Sequence, residues 1–111
     1  MAVLVLCDDP SGLLRQVRRA IQEEYVETWS YDQDGDLTHK PPQWRNQAWM
    51  RPQVGDERLT FNIIPPRNIQ ISREIYAVYH GRLIEMLLSH FDNMIRLASA
   101  TALPIAGDKV K

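Results

Sequence analysis

Arg58-Leu59-Thr60-Phe61-Asn62-Ile63-Ile64, residues 58–64, alternates polar and apolar side chains and is the stretch whose reading decides the fold. Period two places one set of side chains on each face of a strand, so this segment reads as a half-buried strand of an antiparallel sheet. A turn signal, Gln53-Val54-Gly55-Asp56, precedes it, and Pro65-Pro66 ends it. Beyond the prolines the period changes. Ser72 is suited to cap a helix, apolar residues recur at helical spacing from Ile75 to about Leu97, and the next proline is Pro104. A period-two strand followed by a period-3.6 helix in 111 residues points to one α+β domain.

That last helix is long for its host. About 27 residues at 1.5 Å each would run roughly 40 Å, against a radius of gyration of about 13 Å for such a chain. Arg82, Glu85, Ser89, Asp92, Asn93 and Arg96 crowd into a narrow polar arc, which leaves a wide apolar remainder. Ile75, Tyr79, Leu83, Met86 and Leu97 form one part of it; Ile84, Leu87, Leu88, Phe91 and Ile95 form the other. One sheet covers one part only; the first helix could cover part of the second set, and the alternative, taken as the expectation, is that this set mediates self-association as a homodimer. A break at Gly81 would instead let two shorter helices bury both faces within one chain.

Towards the N-terminus, Val3-Leu4-Val5-Leu6-Cys7 is a continuous apolar run, the pattern of a short central strand. Asp8-Asp9-Pro10-Ser11 supplies an N-cap acceptor and a first-turn proline for a helix running to about Glu24, with Leu13, Leu14, Val17, Ile21 and Tyr25 on its apolar side. Residues 26–31 read as a strand, Asp34-Gly35 as a hairpin turn, and residues 37–40 as the returning strand. Residues 41–50 show no period. The order suggests a two-layer sandwich, a mainly antiparallel sheet with both helices on one face. The nearest familiar topology is ferredoxin-like, with residues 33–57 as an elaborated connection and a last strand within residues 103–110. Residues 1–103 form the domain, and residues 104–111 are a C-terminal tail or weak edge strand.

Thirteen basic and 14 acidic residues give a formal charge of −1. There is no net field to draw the chain to nucleic acid or anionic lipid, so neither nucleic acid nor membrane is an expected partner. The single cysteine, Cys7, cannot form an internal disulfide, and the opening apolar run is too short for an export signal. The expected location is therefore the cytoplasm.

Asp8 and Asp9 stand at the end of the first strand as metal-ligand candidates. Residues 3–28 resemble the first strand and helix of a response-regulator receiver domain, in which an acidic pair at this place holds magnesium. The resemblance implies that role for Asp8 and Asp9. No later apolar strand ends in the aspartate that would accept phosphate, or in the lysine such domains use, and helix capping is the competing role. Asp32, Asp34 and Asp36 alternate as in calcium loops, but Gly35 is fourth and Gln43 twelfth where an EF-hand wants glycine sixth and glutamate twelfth.

Cys7 next to two carboxylates reads as a buried structural thiol. His80 and His90 fall in the apolar arc of the last helix, ten residues and about 15 Å apart, too far for one metal; each is a candidate ligand-binding or hydrogen-bonded core histidine. Trp44, Arg45, Trp49 and Arg51 interleave aromatics with cations, a base-stacking and phosphate-neutralising pattern that a sheet-covering role explains equally well. With no glycine-rich phosphate loop and no complete nucleophile or metal motif, no cofactor is expected. The function that follows is a homodimeric binding or assembly module. The alternative is a metal-dependent phosphoryl-transfer enzyme or nuclease built on Asp8 and Asp9.

Overall fold

The structure, a computed structural model, describes residues 2–103. In chain order its elements are β1 (Ala2–Leu6), α1 (Pro10–Gln22), β2 (Trp29–Tyr31), β3 (Leu37–His39), β4 (Trp49–Gly55), β5 (Arg58–Ile64), α2 (Arg73–Phe91), a 3-10 turn (Asp92–Met94) and β6 (Leu97–Ala100). The six strands form one sheet in the order β2-β3-β4-β5-β1-β6, and every neighbouring pair is antiparallel. The chain is thus α+β, with the two helices the sequence indicates.

Register explains the burial. Val3 lies opposite Phe61, Val5 opposite Leu59, Met50 opposite Ile63 and Leu37 opposite Met50. Directly opposed residues share a face, so these seven side chains form one apolar surface. They pack in a single cluster with Leu13, Leu14 and Val17 of α1 and Tyr79, Leu83, Met86 and Leu87 of α2. Asp9 caps α1 by accepting from the Gly12 amide at 3.1 Å. Gly12 is needed for this, because a Cβ there would meet Asp9 Oδ2 at 2.1 Å. Tyr25, placed on the apolar side of this helix by sequence, lies past its end and is 72% exposed.

β2 begins at Trp29 rather than residue 26 and α1 ends at Gln22 rather than about Glu24; two larger differences from the sequence reading concern β4 and α2. β4 occupies residues 49–55, where no period and then a turn were expected, and the hairpin turn is Asp56-Glu57 instead. Pro52 disguised the strand. It is tolerated because β3 pairs with β4 only at Leu37 and Met50, so the outer side of β4 at Pro52 has no neighbouring strand.

The second difference concerns α2. It has 19 residues and ends at Phe91, six short of Leu97, and it passes through Gly81 unbroken. At 1.5 Å per residue it is about 28 Å long, which fits within the 36 Å longest extent of the chain. Asp92-Asn93 favours a turn over a further helical turn. Arg96 then donates its amide to the Leu6 carbonyl at 2.8 Å, and residues 97–100 pair with β1. The expected tail or weak strand at residues 104–111 lies outside the described residues. Among the described residues no helix is long and apolar enough to cross a membrane.

Candidate functional site

The segment after β3 has no hydrophobic period; Ala48 and Trp44 pack on the core, and polar contacts fix the rest of its path. Trp44 and Arg45 donate their amides to the Pro41 carbonyl at 2.8 and 3.0 Å, winding residues 41–45 into a tight turn. Tyr79, fully buried on α2, donates its hydroxyl to the Trp44 carbonyl, and Thr38 on β3 donates to the Ala48 carbonyl at 2.9 Å. These bonds hold the turn against α2 and leave a cleft of about 310 Å³ between them.

His39, the last residue of β3, lines this cleft together with Pro41, Gln43 and Trp44 of the turn and Arg82 and Glu85 of α2. His39 is only 4% exposed. Its ring stacks at a tilt on Trp29, with centroids 4.8 Å apart, and meets Tyr79 edge-on at 6.2 Å. Burial pushes the His39 pKa below its ordinary value; a hydrogen bond to the Thr28 backbone opposes the shift, while Arg82 lowers it and Glu85 raises it. The imidazole is neutral near pH 7, and its Nδ1 has no hydrogen-bond partner. A neutral ring nitrogen of this kind is an acceptor, and its burial keeps solvent away from it. On the rim Arg82 reaches both oxygens of Glu85 through one nitrogen, at 3.4 Å each.

The acidic pair is arranged differently. Asp9 is engaged as the α1 cap, and Asp8, largely exposed, pairs with the Arg96 guanidinium. Both border a smaller cleft of about 200 Å³ with Asn93, Met94, Ile95 and Arg96. Among the described residues no group of three or more histidine, cysteine or acidic side chains is placed to hold a metal ion. Burial pushes the Cys7 thiol pKa up, Arg96 opposing and Asp9 adding to the shift. The turn at Asp32, Asp34 and Asp36 is held by its own groups. Asp32 Oδ1 accepts from the amides of Asp34 and Asp36 at 2.9 and 3.0 Å, and Asp36 is bound by Arg51 through two nitrogens at 3.1 and 2.9 Å.

The remaining candidates scatter. Trp44 lines the His39 cleft, Arg45 is exposed with Nε 3.4 Å from the Lys40 carbonyl, and Trp49 is half-buried on β4. The fourth member of that set, Arg51, spends its guanidinium on Asp36. His80 is buried with Nδ1 2.7 Å from the Tyr76 carbonyl, whereas His90 is exposed beside Phe91. Of the helix residues expected to mediate self-association, Leu87 and Phe91 belong to the chain's own core, Ile84 and Ile95 pack partly against it, and Leu88 is 49% exposed.

Sequence reasoning passed over His39. The signal available was a histidine ending a short strand just before Pro41-Pro42, next to a tryptophan-bearing turn. No family model matches the chain, and neither the curated proteins nor the solved structures contain a match to it.

Proposed function

We propose that the chain is a binding or assembly module that works as a homodimer, joined through the outer edge of β6, which has no strand partner among the described residues. The observation that carries this reading is the composition of that edge. β6 pairs with β1 on one side and ends the sheet order, and its residues Leu97–Ala100, Leu-Ala-Ser-Ala, contain no charge and no proline. Soluble chains protect an exposed edge with lysine, proline, a bulge or shortness. The opposite edge is protected by shortness, since β2 has three residues and its Trp29 is buried. An antiparallel strand is self-complementary about a two-fold axis, so a second copy is the natural occupant. Leu88 on α2, the helix that contacts β6, offers further apolar surface.

The strand order supports a two-layer, ferredoxin-like reading of the core. β4-β5-β1-β6 with helices after β1 and β5 has that order, and β2 and β3 are then an inserted hairpin that widens the sheet. A phosphoryl-transfer site on Asp8 and Asp9 would require both carboxylates to leave their present partners. A reducing, cytoplasmic setting suits the buried single thiol.

The test uses the direction of the edge amides. Thr101 donates its amide to the Ala2 carbonyl at 2.9 Å, so by alternation Ser99 also faces β1 while Ala98 and Ala100 face outward. Light scattering should give twice the 12.9 kDa chain mass at high micromolar concentration. Ala100→Pro removes an outward donor and should give a folded monomer; Ser99→Pro removes a ladder bond and should lower stability itself. A monomeric wild type at that concentration, or a dimer unaffected by Ala100→Pro, would refute the reading.

A further inference from the structure

We propose that α2 packs antiparallel against α2 of the second copy, along Ile84 and Leu88, and so restricts the β6 edge to another copy of this chain instead of any extended segment. Backbone pairing alone is too small a contact. β6 has four residues, about 13 Å of strand, whereas a stable interface covers about 800 Å² of each partner. A strand edge is also indiscriminate, because its main-chain groups pair with any extended backbone.

α2 brings the missing surface. At about 100° per residue, Tyr79, Leu83, Met86 and Leu87 define its core face, with Arg82 and Glu85 on one flank and Ile84 and Leu88 on the other. Arg82 and Glu85 line the cleft with His39 of β3, and β3 and β6 lie towards opposite ends of the sheet order, so the flank of Ile84 and Leu88 turns towards β6. Ala77 and Gly81 continue that flank, and none of the four residues is charged. Leu88 is 49% exposed, and a Cβ on Gly81 would meet nothing within 4 Å. An exposed flank of a soluble helix is ordinarily polar, as the Arg82 flank is.

This packing rests on the β6 dimer, whose dimensions bring the helices together. Strands lie about 4.8 Å apart, so a two-fold axis perpendicular to the sheet at the outer side of β6 runs about 2.4 Å from β6 and about 7 Å from β1. α2 contacts both strands, which puts its axis about 5 Å from the two-fold and about 10 Å from its copy. Helices pack at about 8–10 Å, so the two flanks meet.

Sedimentation equilibrium on the full chain tests this, with Leu88→Glu and Glu85→Gln as variants on the two flanks and Ala100→Pro as the edge variant. Leu88→Glu should weaken the dimer by at least about tenfold, because each copy loses an apolar contact and gains a charge facing its twin. Glu85→Gln should leave the dimer unchanged. Leu88→Gln, which adds no charge, should weaken it in the same direction and decides the matter if Leu88→Glu does not fold. A synthetic peptide of residues 95–102, equimolar with the chain, should not dissociate the dimer. A dimer that Ala100→Pro dissociates but neither Leu88 variant weakens, or one that the peptide disrupts, would overturn the helix contact and leave the edge reading standing. A monomeric wild type, or a dimer indifferent to Ala100→Pro, would overturn both.

Discussion

The hydroxyl oxygens of Tyr79 and Thr38 lie 3.1 Å apart in the buried seam between α2 and β3. Each also reaches a backbone carbonyl, of Trp44 and Ala48 respectively, and carbonyls only accept. Two protons therefore serve three contacts. Tyr79→Phe leaves the Trp44 carbonyl with only the Gln47 amide at 3.3 Å and should cost about 1–3 kcal/mol in urea denaturation. Thr38→Val removes one competing oxygen, so the double variant should lose less than the two singles added; strict additivity would show that the hydroxyls act independently.

Asp36 and Arg51 make a two-pronged ion pair in which the carboxylate is only 7% exposed. Asp36, with Asp34 and Asp32 beyond it, holds the Arg51 guanidinium firmly charged, its hydrogen bond being the largest influence. Arg51 is 44% exposed, which screens the gain. Arg51→Ala should destabilise by about 1–3 kcal/mol because Asp36 is left buried without its partner. Arg51→Lys should recover only part of this, since lysine cannot supply the fork. Denaturation midpoints of the two variants check both statements.

His39 sets a pH dependence whose sign follows from its burial. Its folded pKa is below its unfolded value, so at pH about 7.5 both states are neutral and the group has no effect. As pH falls through the unfolded value of 6.5 towards the folded one, the unfolded chain takes the proton first and stability drops. Urea denaturation of wild type and His39→Gln from pH about 7.5 to about 5 isolates the effect, because glutamine does not titrate. The wild type should lose more stability than the variant over that window, and parallel curves would contradict the assignment.

What the sequence made legible was the regular part. Period two at residues 58–64, the apolar run at residues 3–7 and the Asp9-Pro10 start of α1 each have one physical meaning, and each is realised. β4 was hidden because Pro52 and Gly55 are turn residues in most settings, and only the shortness of β3 makes Pro52 harmless. The end of α2 was hidden because Ile95 and Leu97 continue a helical period by coincidence, while the unpaired side of β1 claims residues 97–100 for the sheet. The His39 cleft was invisible for a different reason. It unites residues 28, 39, 41, 43, 44, 82 and 85 through carbonyl contacts that no side-chain pattern encodes.

Gly81 provides a local check on α2. It lies inside the helix, and a Cβ there would meet nothing within 4 Å. Gly81→Ala should therefore raise stability by about 0.5–1 kcal/mol, through lower unfolded-chain entropy and better helix propensity. A destabilised Gly81→Ala in thermal denaturation would mean that the position needs a glycine after all.

Amide hydrogen exchange along β6, followed at low and high protein concentration, distinguishes a dimer joined at this edge from a monomer. The Ser99 amide faces β1 and should be protected at both concentrations, whereas Ala98 and Ala100 face outward. Self-association through this edge predicts that Ala98 and Ala100 exchange fast when dilute and become as slow as Ser99 when concentrated. Ala98 and Ala100 exchanging freely at high concentration while Ser99 stays protected would contradict it.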